Sequence, residues 1–363
     1  MLKQQKIFFD FLRFCIGSAK QIPGSLKEVD WKELYAIAQK QALLGVQFHG
    51  IRQLPKQLAP EQKLLMQWMA MAEQIRKQNI RLFQDSVKVC QNFENEGFAN
   101  CILKGQGNAL LYPDPYMRTP GDIDIYLSGG RWKIMKYVDQ VCPNQVMRYH
   151  HVDFPVMKTA IEVHFTPSYM FCPIHNRRMQ KWFEEVMGEQ CNHRVSLPDG
   201  YGEIHVPTAS FNVIYILSHL YRHIFTEGIG LRQLLDYYYV LISDDLLLVR
   251  DRVQKELKHL GLWKFAQAVM FVMKEVFGLS EDRMIAPMDE KEGRFLLDEI
   301  MRGGNFGQYD DRMGSKAGES KIHRYFRMNL RNLRFVKHYP TEAVCEPVFR
   351  TWFAGWKFIN RIK

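Results

Sequence analysis

The stretch Gly121-Asp122-Ile123-Asp124-Ile125-Tyr126-Leu127 sets two carboxylates one residue apart in an otherwise apolar run. Side chains alternate across a β-strand, so Asp122 and Asp124 share one face while Ile123, Ile125 and Leu127 point into a core. At a rise of ~3.3 Å per residue their Cα atoms stand ~7 Å apart, which lets both carboxylates lean onto shared cations. Neighbouring anions repel, and burial raises their pKa values, so such a strand is stable mainly when something cationic sits between them. A divalent metal suits that position. A pair of solvated aspartates at a strand end is the plainer alternative.

Upstream, Ala99 to Leu103 reads as a strand, followed by Lys104-Gly105-Gln106-Gly107-Asn108 as a glycine turn and a short helix over about 105–111. Glycines permit positive φ and close backbone approach, so the N–H groups opening the helix are free to face an anion such as phosphate. Tyr112-Pro113-Asp114-Pro115 stops the helix, and Arg118 follows close to the acidic strand. A third carboxylate comes from Ile161-Glu162-Val163-His164-Phe165, where alternation puts Glu162 and His164 on one face. Asp153 is a rival to Glu162. Three carboxylates on adjacent strands beside a glycine turn and cations make a two-metal phosphoryl-transfer site.

The order Lys104-Gly105, Arg118, Gly121-Asp122-x-Asp124, Glu162-x-His164 resembles the polymerase-beta-like nucleotidyltransferase superfamily, and within it a bacterial family of uncharacterised nucleotidyltransferases, over about residues 30–290. The sequence departs from the superfamily at the turn, which is usually Gly-Gly or Gly-Ser; the serine that touches the β- or γ-phosphate is absent. The resemblance implies transfer of a nucleoside monophosphate from a nucleoside triphosphate to an acceptor hydroxyl, with release of pyrophosphate. It implies two Mg²⁺ ions (Mn²⁺ as substitute) on Asp122, Asp124 and Glu162. The nucleotide would meet Lys104, Gly105, Gln106, Gly107, Asn108, Arg118 and Gly121. The competing reading is a fold that has lost activity and serves as a nucleotide- or nucleic-acid-binding module. A kinase-like γ-phosphoryl transfer finds no His-Arg-Asp loop or Walker-type Gly-x4-Gly-Lys-Ser/Thr.

The elements that must hold these residues read as an α+β protein, with a small mixed-sheet core flanked by helical regions. Residues 1–98 are helical, notably over 31–51 and 60–93. The core at 99–207 carries strands at 99–103, 122–127, 160–165 and 203–206 and helices at about 105–111 and 130–142. Residues 208–300 are helical again, over 210–225, 231–242, 245–260 and 263–277. The glycine-rich stretch 301–320 reads as a mobile loop, and 321–363 as two amphipathic helices split by Pro340.

On the helices after Ser210, His219 and His223 lie four apart, as do Arg232 and Asp236, with Gly228 and Gly230 at the corner between. This block also resembles the family, which implies that it closes the cleft on nucleotide or acceptor. An intrahelical Arg232–Asp236 pair with two partly buried histidines is the alternative. Cys172-x2-His175 and Cys191-x-His193 offer four zinc-type ligands at a spacing unlike a standard structural site.

Of the formal net charge of +10, the region from Lys321 to Lys363 carries about eight, with Arg324, Arg327, Arg331 and Arg334 recurring every three to four residues. Such a face suits RNA phosphates or an anionic membrane surface, or else is a solvated face or one docked against acidic partner residues. Seven cysteines without regular spacing argue for a reducing compartment rather than a disulfide scaffold. Asp10 and Arg13 interrupt the apolar start Ile7-Phe8-Phe9, and no run reaches the ~18 apolar residues of a spanning helix. The expectation is a cytoplasmic protein with no transmembrane segment.

Overall fold

In the computed structural model, residues 3–313 and 320–360 are described. Helices α1 (Lys3–Cys15), α2 (Trp31–Lys40), α3 (Leu44–Ile51) and α4 (Gln62–Asn95) build the amino-terminal region. Asp30 starts α2 by accepting the N–H groups of Lys32 and Glu33. Along α4, Trp68, Ala72, Ile75, Asn79, Leu82, Phe83 and Ser86 recur at helical spacing and form its buried face. Asn79 is polar on that face because it donates to the carbonyls of Tyr116 and Arg118, at 2.8 Å each, and so fixes the segment that leads into the acidic strand.

The core sheet contains β1 (Asn100–Ile102), β2 (Ile123–Leu127), β3 (His151–Asp153) and β4 (Ile161–His164) in the order β1-β2-β4-β3. β2 and β4 run parallel, and both outer pairs are antiparallel. Ile102, Ile123, Ile125, Leu127, Val152, Ile161 and Val163 all enter one apolar cluster, with α6 (Arg131–Val141) and the end of α4 packed into it. The opposite face carries Asp124, Glu162 and His164. A one-turn helix α5 (Gln106–Ala109) follows β1, shorter than the sequence suggests.

Beyond the sheet come α7 (Pro173–Gln190) and a hairpin of β5 (Arg194–Ser196) with β6 (Glu203–His205). α7, β3 and β5 are additions to the sequence reading. β3 is a three-residue strand with two polar side chains, too short for alternation to stand out. α7 carries a readable 3-4 spacing at Met179, Trp182, Phe183 and Met187.

The remaining helices are α8 (Ala209–Thr226), α9 (Leu231–Leu241), α10 (Asp245–His259), α11 (Trp263–Val272), α12 (Glu290–Gly303), α13 (Lys321–Val336) and α14 (Pro340–Ile359). α8 is buried along nearly its whole length and places Tyr215, Ile216 and His219 toward the sheet's polar face. No helix among the described residues is long and apolar enough to cross a membrane.

Two expectations change in the carboxy-terminal part. The stretch after Met301 is not a loop from its start: α12 runs to Gly303, and a 3-10 turn over Asn305–Gly307 packs back on the protein. Residues 314–319 of that stretch lie outside the described residues. The basic stripe on α13 also turns inward. Arg331 is buried, and Arg334 meets Asp310 at 3.4 Å and Glu299 at 3.7 Å, while Phe326, Leu330 and Leu333 face outward. Of the four arginines read as an RNA or anionic-surface contact, Arg331 is thus buried and Arg334 is paired with two carboxylates, and the Arg324 side chain lies outside what is described.

Candidate active site

The parallel pairing of β2 with β4 sets Asp124 opposite Glu162 and Tyr126 opposite His164. Neighbouring strands lie ~4.8 Å apart, so two carboxylates in register on them reach a common ion. Asp153 pairs with Glu162 from the far side, on β3. It is two strands, ~9.6 Å, from Asp124, and register therefore favours Glu162 as the carboxylate that joins Asp124. The ligand atoms of Asp124, Glu162 and His164 lie within 4.8 Å of one another. Asp122 does not join that group. It precedes β2 and fronts a cavity of about 300 Å³ together with Asp124, Lys104, Gly105, His219 and Arg232.

Charge is distributed unevenly over this cluster. His164 Nε2 stands 3.0 Å from Asp124 Oδ1 and 3.6 Å from Glu162 Oε2, and Lys104 Nζ lies 3.2 Å from Asp124 Oδ2. Burial pushes the Asp124 carboxyl up, but Lys104 and His164 outweigh it and hold the group well below the usual carboxylate range. Burial is the largest effect on Glu162 and raises it, but the hydrogen bond with His164 and the electrostatic attraction of His151 and His164 together bring it below its ordinary value. The same bonds raise His164 against the opposing effect of its burial, which favours an imidazolium between the two carboxylates. Asp122 goes the other way. Repulsion from Asp124, then burial, pushes it up to about 6.

Asp124 Oδ2 is buried without an aligned hydrogen bond, although Lys104 is within ion-pair distance. A buried carboxylate oxygen facing a second carboxylate across a cavity is a donor set suited to a divalent cation.

The glycine turn divides between two roles. Gly105 has φ 67°, a conformation that favours glycine, and lines the cavity with Lys104 and Asn108. Gln106 and Gly107 face away: Gln106 donates to Asn79 at 3.3 Å, and a Cβ on Gly107 would come within 2.8 Å of Val206. Gly121 lines the cavity and is exposed.

Arg118 reaches the cavity wall, yet its guanidinium grips Asp236 through two 2.8 Å bonds, and Tyr112 donates to the same carboxylate at 2.7 Å. Asp236 is therefore not the partner of Arg232 along α9. Arg232 lines the cavity with the Thr119 carbonyl at 3.5 Å and the Phe306 ring at 5.7 Å, and burial lowers its pKa. His219 Nε2 stands 3.1 Å from Lys104 Nζ and lines the cavity; His223 sits behind it against Arg222 and Glu227. Burial keeps both imidazoles neutral, His223 being lowered to about 4.

Sequence reasoning missed Asn305 and Phe306, which close the cavity. Phe306 has φ 50°, unusual for an aromatic residue. The signal was the pair Gly304 and Gly307 around it, which read as a loop rather than as a fixed turn.

A small mixed sheet with in-register carboxylates, a glycine turn and a covering helical layer defines a nucleotidyltransferase-type α+β protein. The chain belongs to the uncharacterised nucleotidyltransferase family, whose model matches residues 27–278. No curated protein and no solved structure matches the chain.

Proposed function

We propose that this protein transfers a nucleoside monophosphate from a nucleoside triphosphate to an acceptor hydroxyl, releasing pyrophosphate. The observation that carries this reading is Asp124 in register with Glu162 on adjacent parallel strands, with Asp122 and Asp124 lining one cavity. Asp122, Asp124 and Glu162 would hold divalent cations, Mg²⁺ first, whose role is to neutralise the triphosphate and lower the pKa of the acceptor hydroxyl. The hydroxyl oxygen forms a bond to the α-phosphorus while the bond to the pyrophosphate oxygen breaks.

The chain's own residues divide the remaining work. His164 fixes the Asp124 carboxylate, and Lys104 and Arg232 face the cavity as point charge and fork for the β- and γ-phosphates. Arg118 acts one step back, by holding Asp236 and the wall on which Arg232 sits. Phe306 offers an aromatic face at the closing turn.

The test is pyrophosphate release from purified protein with labelled triphosphates, Mg²⁺ and a library of hydroxyl acceptors. Asp122→Asn and Asp124→Asn each remove a ligand for an ion that supplies several kcal/mol, so turnover should fall at least about 100-fold. Transfer by either variant at near wild-type rate would falsify the proposal. Mg²⁺-dependent triphosphate binding with no release for any acceptor would favour the inactive binding module instead.

A further inference from the structure

Away from the cavity, α7 begins against α14, and two sequence pairs of identical spacing meet there: Cys172-x2-His175 and Glu342-x2-Cys345. Positions three apart share a helix face, so Glu342 and Cys345 lie on one side of α14. The ligand atoms of Cys172, His175 and Glu342 lie within 4.8 Å of one another. Cys345 follows Glu342 by three residues on α14 and is half-buried, with its thiol outside that group of three. Cys191 and His193 do not contribute: Cys191 is buried at the end of α7, and His193 Nδ1 is 2.8 Å from the Val206 carbonyl.

Glu342 is only 1% exposed. Its Oε2 accepts the N–H groups of Phe171 at 2.7 Å and Cys172 at 3.0 Å, ahead of α7. Its Oε1 faces His175 Nδ1 at 3.0 Å. Nothing in that arrangement calls for two thiols. Two sulfurs, one imidazole nitrogen and one carboxylate oxygen are instead the donor set of a tetrahedral, borderline-soft cation. With metal–sulfur bonds of ~2.3 Å and metal–nitrogen or oxygen bonds of ~2.0–2.2 Å, the edges of such a tetrahedron run ~3.3–3.8 Å. Cys172, His175 and Glu342 need close by little more than a side-chain adjustment to reach that spacing, and Cys345 would turn in as the fourth donor.

We propose that Cys172, His175, Glu342 and Cys345 form a structural zinc site that fastens α14 to the start of α7. Glu342 and Cys345 lie outside the residues matched by the family, so the site is independent of the nucleotidyltransferase reading. Its position gives it a consequence for that centre. Residues 165–172 connect β4, which carries Glu162 and His164, to α7, and Tyr169 in that connection stacks on Phe349 of α14 at 5.1 Å. The ion would hold the α7 end of that connection against α14.

The experiment uses the full chain purified under reducing conditions without chelator. Elemental analysis should give about one zinc per chain, and Co²⁺ exchanged into the site should show thiolate-to-cobalt charge transfer and the visible bands of a tetrahedral ion. Chelator should lower Tm by several degrees. Cys172→Ser, Cys345→Ser and His175→Ala should each lose the metal, while Asp122→Asn keeps it. If a cysteine variant does not fold, the wild-type Co²⁺ spectrum and the chelator shift still decide. Protein that binds neither Zn²⁺ nor Co²⁺ with sulfur ligation, or one with a Cys172–Cys345 disulfide in its place, overturns the proposal.

Discussion

Asp122 and Asp124 are separated by one residue yet titrate in opposite directions, because Lys104 and His164 both reach Asp124 and neither contacts Asp122 directly. The sign of the stability effect follows. A folded pKa of about 6 against an ordinary value of 3.8 means that the folded chain holds this proton more tightly than the unfolded one. Stability therefore falls as pH rises from about 4 to about 6 and stays reduced above that, without divalent ions. Asp122 is only partly buried, so screening limits the effect to roughly 1–2 kcal/mol. Asp122→Asn should raise Tm at pH 7 by a few degrees and flatten the pH 4–6 slope, while abolishing stabilisation by Mg²⁺; thermal melts across pH with and without the ion read all three. The two arginines should separate as cleanly. Arg118→Ala strands a buried Asp236 carboxylate and should cost about 3–5 kcal/mol in denaturant unfolding. Arg232→Ala should change stability far less and weaken triphosphate binding.

At the scale of elements, much of the site was legible because strands and helices impose different periods. Alternation in Asp122–Leu127 and Ile161–Phe165 correctly divides a core face from a polar face. What alternation does not contain is register: the preference for Glu162 over Asp153 rests on which strand neighbours β2, a long-range fact. The four-residue spacing of Arg232 and Asp236 was likewise real but insufficient, since Arg118, far away in sequence, offers Asp236 a bidentate grip that an intrahelical pair does not. The closing turn at Asn305–Gly307 is not legible in the sequence, because Gly304 and Gly307 read as slack. Phe306 at φ 50° implies a conformation imposed by its surroundings, at a cost of about 1–3 kcal/mol. Phe306→Gly relieves that strain while Phe306→Ala retains it, so the glycine variant should be the more stable by about 1 kcal/mol in denaturant unfolding. Both variants should bind triphosphate about tenfold more weakly, as expected for loss of one stacking face.

For the whole molecule, the net charge of +10 suggests a polyanion-binding protein, but the fold places part of that charge inside. Arg312 and Arg334 converge on Glu299 and Asp310, Arg331 is buried beside them, and Arg350 pairs with Glu346 at 3.2 Å. The Arg334 pairs, with Phe335 and Tyr339 sunk into the main core, attach the α13–α14 hairpin to the rest of the chain. Burial raises the Asp310 carboxyl, but its bonds to Arg312 and the charge of Arg334 outweigh that and hold it at about 2. A depressed carboxyl contributes stability above its unfolded value near 4, lost as pH falls toward 2, so the hairpin should loosen in that acidic window. At neutral pH, Arg334→Glu turns an attraction to two carboxylates into repulsion. It should cost roughly 1–2 kcal/mol of stability, because the cluster is partly exposed. An arginine engaged with phosphates would instead contribute about 0.9 to the slope of log K against log salt for a nucleic acid duplex. Arg334→Glu should leave that slope unchanged for any duplex the protein binds while lowering Tm, whereas a slope reduced by about one with Tm preserved would place the arginine on an outward binding face.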